Sequence, residues 1–228
     1  MATNTDQTGT MYDLTNVLDI DALASVRPGS TILISGPAMT GKEALAYDML
    51  ADGVEQNEGA VIVSTGDRAD SVVADFSERT GQQSFPLGVI DCVSDASGGE
   101  TTDSGVYTHH VSSPGDLTGI GIGITKALEG LHESGVENGR LALSSLSTML
   151  TYTDRKTVFK FCHVLSSRLD AAGYLGLFTI DSGAHDDQTL QVIKQAFDGM
   201  IEIRERDGTR EARVVGLTSS PSDWEPLQ

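Results

Sequence analysis

Apolar runs rich in β-branched residues recur along the chain, separated by stretches with helical spacing. The runs are "TILIS" (31–35), "AVIVST" (60–65), "LGVIDCV" (87–93), "RLALSSL" (140–146) and "LGLFTID" (175–181). They are almost unbroken in hydrophobicity, as parallel strands covered on both faces must be. Between them, Leu45, Met49 and Leu50 mark a first helix that Gly53 is expected to stop, and Val72, Val73 and Phe76 mark a second running up to Gly81. Ile120, Ile124, Leu128 and Leu131 repeat at helical spacing after a start signal at Ser113 and Pro114. Gly121 and Gly123 weaken that helix by about 1 kcal/mol each. The clearest stripe is Val158, Phe161, Leu165, Leu169 and Ala172, closed by Gly173; a last helix carries Leu190, Ile193 and Phe197.

The pattern then changes. "GMIEIRERDGTREARVVGL" alternates apolar and charged residues around Asp207-Gly208, which predicts a hairpin with one solvated face. Alternating strands and helices followed by a hairpin predict one α/β sandwich with a mostly parallel sheet. No internal repeat or linker divides it, and 228 residues are enough to bury a core without disulfides or metals. The expected domain spans 13–218, between a short disordered tail at 1–12 and an irregular tail at 219–228. The segment "SDASGGETTDSGV" (94–106) is the expected mobile loop.

Charge changes the picture more than composition does. Thirty-three acidic residues against fifteen basic ones give a formal net charge of −18. The acids are scattered and not blocked, so the surface repels itself in ordinary salt and is relieved when salt shortens the screening length. The simplest reading is a cytoplasmic protein of a salt-loving archaeon; an ordinary acidic protein explains the scarcity of lysine less well. Nucleic acid is disfavoured as a partner, because few cations are available to replace phosphate counterions. Cys92 and Cys162 lie in apolar surroundings and read as buried thiols in a reducing cytosol. The sequence has neither an apolar run of about eighteen residues nor a secretory leader pattern, so no membrane span is expected.

Candidate chemistry begins at "GPAMTGK", Gly36, Pro37, Ala38, Met39, Thr40, Gly41 and Lys42, which lies after a strand and before a helix. This is the G-x-x-x-x-G-K part of a phosphate loop: glycines permit the turn, backbone N–H groups face phosphate oxygens, and the lysine reaches the outer phosphates. A chance glycine turn with a surface lysine is the bland alternative, and the strand and helix on either side weigh against it.

Here the chain resembles the RecA-superfamily ATPases of the KaiC/RadA type, in particular single-domain archaeal members. The resemblance covers roughly residues 15 to 217: "VLDIDALASVRPGSTILISGPAMTGKEAL", then "VIVST", then "RLALSSLSTML" at the Walker B position, and "FDGMIEIRERDG…REARVVGL" at the terminal hairpin. It implies a RecA-like three-layer sandwich, a mostly parallel central sheet with helices on both faces and a C-terminal hairpin. It also implies ATP bound between subunits, and ring or filament assembly. Glu43 stands where that family has the magnesium-binding hydroxyl, and Met39 where it usually has glycine. The Walker B aspartate position is Ser144, followed by Ser145, Ser147 and Thr148. The catalytic glutamate position falls at Thr65, Gly66 and Asp67. A carboxylate at 43 adds repulsion of about 4 kcal/mol toward phosphate at 4 Å and an effective dielectric near 20. It could also swing away, ligate magnesium itself, or pair with Lys42.

The expectation is therefore a non-catalytic regulatory or scaffold protein, a pseudo-ATPase working through a protein partner or homo-oligomer, with no catalytic residue and no protein metal site. The alternative is an ATP-binding switch with slow or no hydrolysis, holding ATP or ADP on residues 36–43; an active ATPase with relocated ligands ranks third. Among other polar residues, Asp186 or Asp187 reads as a helix cap, with His185 beside it as a sensor or partner contact. Asp181 and Ser182 close a strand where they could reach a ligand. His109 and His110, adjacent on a strand, point to opposite faces and form no metal pair. Arg204, Arg206, Arg210 and Arg213 suit cross-strand pairs with Glu202, Glu205 and Glu211, and Trp224 suits packing of the tail onto the body.

Overall fold

The computed structural model describes residues 10–95, 98–101 and 106–227. Among them the strands are β1 (Thr31–Gly36), β2 (Gly59–Ser64), β3 (Leu87–Asp91), β4 (Gly98–Thr101), β5 (Tyr107–His110), β6 (Gly139–Leu143), β7 (Leu175–Asp181), β8 (Gly199–Arg206), β9 (Thr209–Val215) and β10 (Glu225–Pro226). They form one sheet in the order β10-β9-β8-β1-β7-β6-β2-β3-β5-β4. Every pair from β8 across to β5 is parallel, and β9, β10 and β4 join antiparallel at the margins.

Helices α1 (Lys42–Glu55) and α2 (Ala69–Thr80) cover one face. The other face carries α3 (Leu117–Glu133), α4 (Leu146–Tyr152), α5 (Arg155–Ala172) and α6 (Asp187–Lys194). Alternation along each central strand feeds both layers: Ile32, Ile34, Ala60 and Ile62 enter the first core, while Leu33, Val61 and Val63 enter the second. Every residue of β1, β2, β3 and β6 is buried, which is why these strands read as continuous apolar runs. The result is an α/β sandwich with a mostly parallel sheet and a terminal hairpin, as the hydrophobic pattern predicts, in the three layers that the resemblance implies.

Several boundaries differ from expectation, each for a local reason. Gly53 does not end α1 but sits inside it, where a Cβ would lie 2.7 Å from both Arg140 Nε and Glu58 Oε2. The missing side chain makes room for an ion pair. The β6 strand stops at Leu143, because Ser145 caps α4 by accepting the Thr148 N–H (3.1 Å). Asp116, and not Ser113, caps α3 through the Gly119 N–H. Gly81 and Gly173 end their helices in the left-handed region, as expected (φ 63° and 72°).

The expected mobile loop at 94–106 contains β4, which pairs with β5; residues 96–97 and 102–105 of it lie outside those described. The expected N-terminal tail lies outside the described residues up to position 9, but Tyr12 within it is buried. Its hydroxyl donates to the Gly173 carbonyl (2.7 Å) and accepts from the Gly139 N–H (3.1 Å).

The hairpin turns on Asp207 and Gly208, both at positive φ (52° and 77°), matching the strand twist. Arg204 pairs with Glu211 and Arg213 with Glu202, each at 2.6 Å across the strands. Trp224 packs against both guanidinium groups, 3.9 and 4.6 Å from its ring centre. The C-terminal segment, expected to be irregular, is thus held by this stacking, by the Val214 N–H bond to Ser222 Oγ (2.9 Å) and by β10.

Candidate functional site

Parallel pairing brings the carboxyl ends of β1, β7, β6 and β2 to one edge of the sheet, side by side in that order. Open α/β sheets place their ligands at this edge. A cavity of about 280 Å³ lies there, lined by Ala38, Met39, Gly41, Lys42, Glu43, Ala44, Ser144, Ser145, Thr179 and Asp181. The fold therefore joins residues 38–44 to Ser144 and Ser145, about a hundred residues later.

The loop 37–41 runs from β1 directly into the N-terminus of α1. Gly41 adopts φ 81° and leads into α1, whose first turn has no side-chain cap, so its N–H groups face the cavity edge. Met39 also lies at positive φ (59°) with its side chain 98% exposed. That conformation is the physical reason for glycine at this point in the resembling family, since a side chain there costs about 1–2 kcal/mol. Thr40 Oγ1 donates to the Pro37 carbonyl (2.9 Å), and the Lys42 ammonium turns back onto the same carbonyl. Burial lowers the Lys42 pKa, and the Asp181 carboxylate partly offsets this. From the hairpin, Arg210 Nη1 lies 3.5 Å from the Thr40 carbonyl, at the outer limit of a hydrogen bond.

Glu43 is resolved by the geometry. Its carboxylate accepts from Tyr47 Oη (3.2 Å), one turn along α1, and makes no ion pair with Lys42 among the described residues. Burial raises the Glu43 pKa, the Tyr47 bond and Arg79 lower it, and Asp67 and Asp75 raise it further. A raised carboxyl pKa gives stability that is complete below the unfolded value and lost as pH rises through the folded one. Glu43→Gln is accordingly expected to raise stability at pH 7 by up to about 1 kcal/mol. Urea unfolding should show this gain shrinking as pH falls toward the ordinary glutamate value of 4.5.

At the other wall, hydroxyls stand where the resemblance leads one to look for acids. Ser144 is buried just beyond β6, and its Oγ accepts the Thr65 N–H (3.0 Å) and lies 3.2 Å from Thr65 Oγ1. The Ser144 carbonyl accepts from Thr179 Oγ1, and Thr65 Oγ1 reaches the Ser145 carbonyl (3.5 Å). Gly66 is exposed, and a Cβ there would meet nothing. Asp67 is also exposed; its N–H and carbonyl both bond to Ser64 Oγ (3.0 and 2.7 Å), which shapes the turn.

Other candidates fall into place around this edge. Asp186 caps α6 through the Thr189 N–H (2.6 Å). His185 Nε2 lies 2.8 Å from Ser147 Oγ, which also accepts the Asp181 N–H (2.9 Å), so this residue ties the α6 entry to α4. Asp181 lines the cavity and accepts from the Gly183 N–H (2.8 Å). His109 packs under Gly123, whereas His110 Nδ1 meets Asp91 on the opposite face (3.3 Å), as strand alternation requires. Thr179, the Ser147–His185 contact and the approach of Arg210 were missed in the sequence, because each depends on strand order and register.

The residues fit the two halves of a magnesium nucleotide differently. Lys42, Arg210 and the uncapped turn suit phosphate. For magnesium, Glu43 is directed to Tyr47 and the Ser144 hydroxyl is engaged by Thr65, which leaves Asp181 as the other carboxylate on the cavity lining. Among the described residues, no group of three or more His, Cys, Asp or Glu side chains could hold a metal ion. Nor is any described helix long and apolar enough to cross a membrane.

The fold is RecA-like. The chain is similar to the solved structure of a KaiC-like protein, PH0186, from the hyperthermophilic archaeon Pyrococcus horikoshii OT3, with a TM-score of 0.62 at 12% identity. That similarity covers 95% of this chain and 90% of that one, and at this identity it shows the fold alone. No curated protein matches the sequence. Residues 29–203 match the profile of a family described as "Family of unknown function (DUF7504)". Since the match takes in most of the chain and both walls of the cavity, the chain belongs to this family.

Proposed function

We propose that this chain is a KaiC-like pseudo-ATPase: a non-catalytic regulatory or scaffold protein that works through protein partners or self-assembly. One observation carries the reading. Where the resemblance leads one to look for acids the chain has Ser144 on one side and Thr65, Gly66 and Asp67 on the other, and the buried polar atoms of Ser144 and Thr65 are bonded to each other. Phosphoryl transfer depends on positioning and on metal neutralisation of charge, and hydroxyls engaged in this way supply neither a base nor a metal anchor. The net charge of −18 supports a cytoplasmic setting in a salt-loving archaeon.

A second reading, an ATP- or ADP-binding switch with slow or no hydrolysis, is favoured by the uncapped first turn of α1 together with Lys42 and Arg210. Calorimetry in molar salt, with and without magnesium, separates the two when run on the native chain and on Lys42→Ala. The first reading expects no tight magnesium-dependent binding and no turnover above background. Tight binding lost in the variant would overturn it in favour of the switch, and no binding at any salt concentration would remove the switch. Turnover that disappears with Lys42→Ala would instead establish an ATPase with relocated ligands, Asp181 being the carboxylate nearest to hand.

A further inference from the structure

On the sheet face away from α1, a groove of about 550 Å³ runs between α3 and α5. Leu117, Phe161 and Leu165 contribute apolar lining, and Ile122 and Val164 lie on it at 48% and 47% exposure. Arg168 closes the gap between the helices by donating to the Gly121 carbonyl (3.2 Å) and Thr125 Oγ1 (2.7 Å).

Four cations, Lys126, Lys156, Lys160 and Arg168, gather on α3 and α5 at this groove in a chain that is acidic as a whole. Acids outnumber cations by thirty-three to fifteen, and Arg79, Arg140, Lys194, Arg204, Arg206 and Arg213 each have a carboxylate within 4 Å. Lys126 and Arg168, on the groove lining, have none among the described residues. The same holds for Lys156 and Lys160, which continue the row of Val164 and Arg168 at intervals of four along α5 and are exposed. Glu129 is the acid on the lining. Arg27, Lys42, Arg68, Arg155 and Arg210 also have no carboxylate within 4 Å among the described residues, so what marks the groove is that four such cations gather there beside exposed apolar side chains, a surface complementary to negative charge and apolar contact together.

We infer that the α3–α5 groove docks an acidic amphipathic helix of a partner protein. Its apolar stripe would lie against Ile122 and Val164, and its flanking carboxylates would meet Lys126, Lys156 and Lys160. A second copy of this chain is the weaker occupant, since it brings a further −18 of charge to a molecule that already carries it. The inference does not depend on whether nucleotide binds at the other edge of the sheet.

The test uses a fluorescent designed helical peptide with leucines at i, i+3, i+4 and i+7 and glutamates on both flanks, titrated with the full chain. Anisotropy is read at the lowest salt that preserves its circular dichroism. An acidic peptide is repelled by the rest of this molecule, so saturable binding is itself informative. Binding is expected to weaken at least tenfold in Ile122→Glu/Val164→Glu and in Lys156→Glu/Lys160→Glu, and at least tenfold for a scrambled peptide of the same composition. These positions are exposed, and an unchanged thermal transition in each variant confirms that folding is intact. No binding up to millimolar peptide, equal binding of the scrambled peptide, or unchanged binding by both variants would overturn the inference. Self-association in sedimentation equilibrium that Ile122→Glu/Val164→Glu abolishes would overturn it in favour of a second copy.

Discussion

Arg140→Met is expected to destabilise the protein by about 3–5 kcal/mol, the usual cost of removing one partner of a buried ion pair. Arg140 is the second residue of β6 and is fully buried. Its Nε donates to Glu58 (2.6 Å) and its Nη1 to Asp52 (3.0 Å) and to the Met49 carbonyl, while Nη2 reaches the Asp13 carbonyl (3.4 Å). One guanidinium thereby joins the N-terminal segment, α1 and the entry to β2. Without it, Glu58 keeps its buried place but loses its countercharge. Burial already raises the Glu58 pKa, with Arg140 holding it down. The penalty should consequently shrink as pH falls and Glu58 takes up a proton, because a carboxyl with a raised pKa gives stability below its unfolded value and loses it as pH rises. For a chain of this size the loss corresponds to a fall in Tm of roughly 6–20 °C. Adding Glu58→Met should recover part of it, since an apolar pair can replace a buried ionic one. Calorimetry of the single and double variants checks both statements; a single variant within 1 kcal/mol of native would show that the network is not holding these elements together.

Asp91→Ala is expected to cost about 3 kcal/mol, by leaving the buried Ala69 N–H and the part-buried Val93 and Ser94 donors without an acceptor. Asp91 ends β3, fully buried, and accepts from the N–H groups of Ala69 (3.0 Å), Val93 (2.8 Å) and Ser94 (3.0 Å) and from Ser94 Oγ (2.7 Å). The bond to Ala69 caps α2 from a neighbouring strand, in place of Arg68, which supplies no side-chain cap. Burial alone would raise the Asp91 pKa, but the Ala69 N–H and the Ser94 and Val93 bonds hold it below the ordinary 3.8. A depressed pKa gives stability that is present above the unfolded value and lost as pH falls through the folded one. Urea unfolding should therefore show the native chain and Asp91→Asn converging only below about pH 3.8. Asp91→Asn keeps one acceptor oxygen and should cost less than Asp91→Ala. Equal losses in both variants would mean that the charge contributes most of the effect.

Neither residue announces itself in the sequence. Arg140 opens the apolar run 140–146 and Asp91 lies inside the run 87–93, and neither run shows which groups will gather on its charged residue. Each became a structural centre only when separate segments converged on it: residues 13, 49, 52 and 58 around Arg140, and 69, 93 and 94 around Asp91. Gly53 was misread for the same reason, since a helix-stopping glycine and a glycine making room for a guanidinium look alike along the chain. The helix α4 was hidden because "RLALSSL" is apolar across a boundary that only the Ser145 cap defines. The strand β4 was hidden because it is short and lies in a polar stretch, whereas β5 showed only as the strand carrying His109 and His110.

Local chemistry along the chain was sufficient for much of the rest. Continuous apolar runs required a sheet buried on both faces, Asp207-Gly208 required a tight hairpin, and "GPAMTGK" required a glycine turn at a helix N-terminus, because each follows from side-chain period or backbone freedom within a few residues. The altered positions Glu43, Thr65 and Ser144 were also visible there, as identities without geometry. Tertiary structure alone decided their relations: that Glu43 leans on Tyr47 and not on Lys42, that Ser144 and Thr65 bond to each other, that Arg210 returns to its own loop, and that a cation-lined groove opens between α3 and α5. Strand order and register set those distances, and they are products of the whole core.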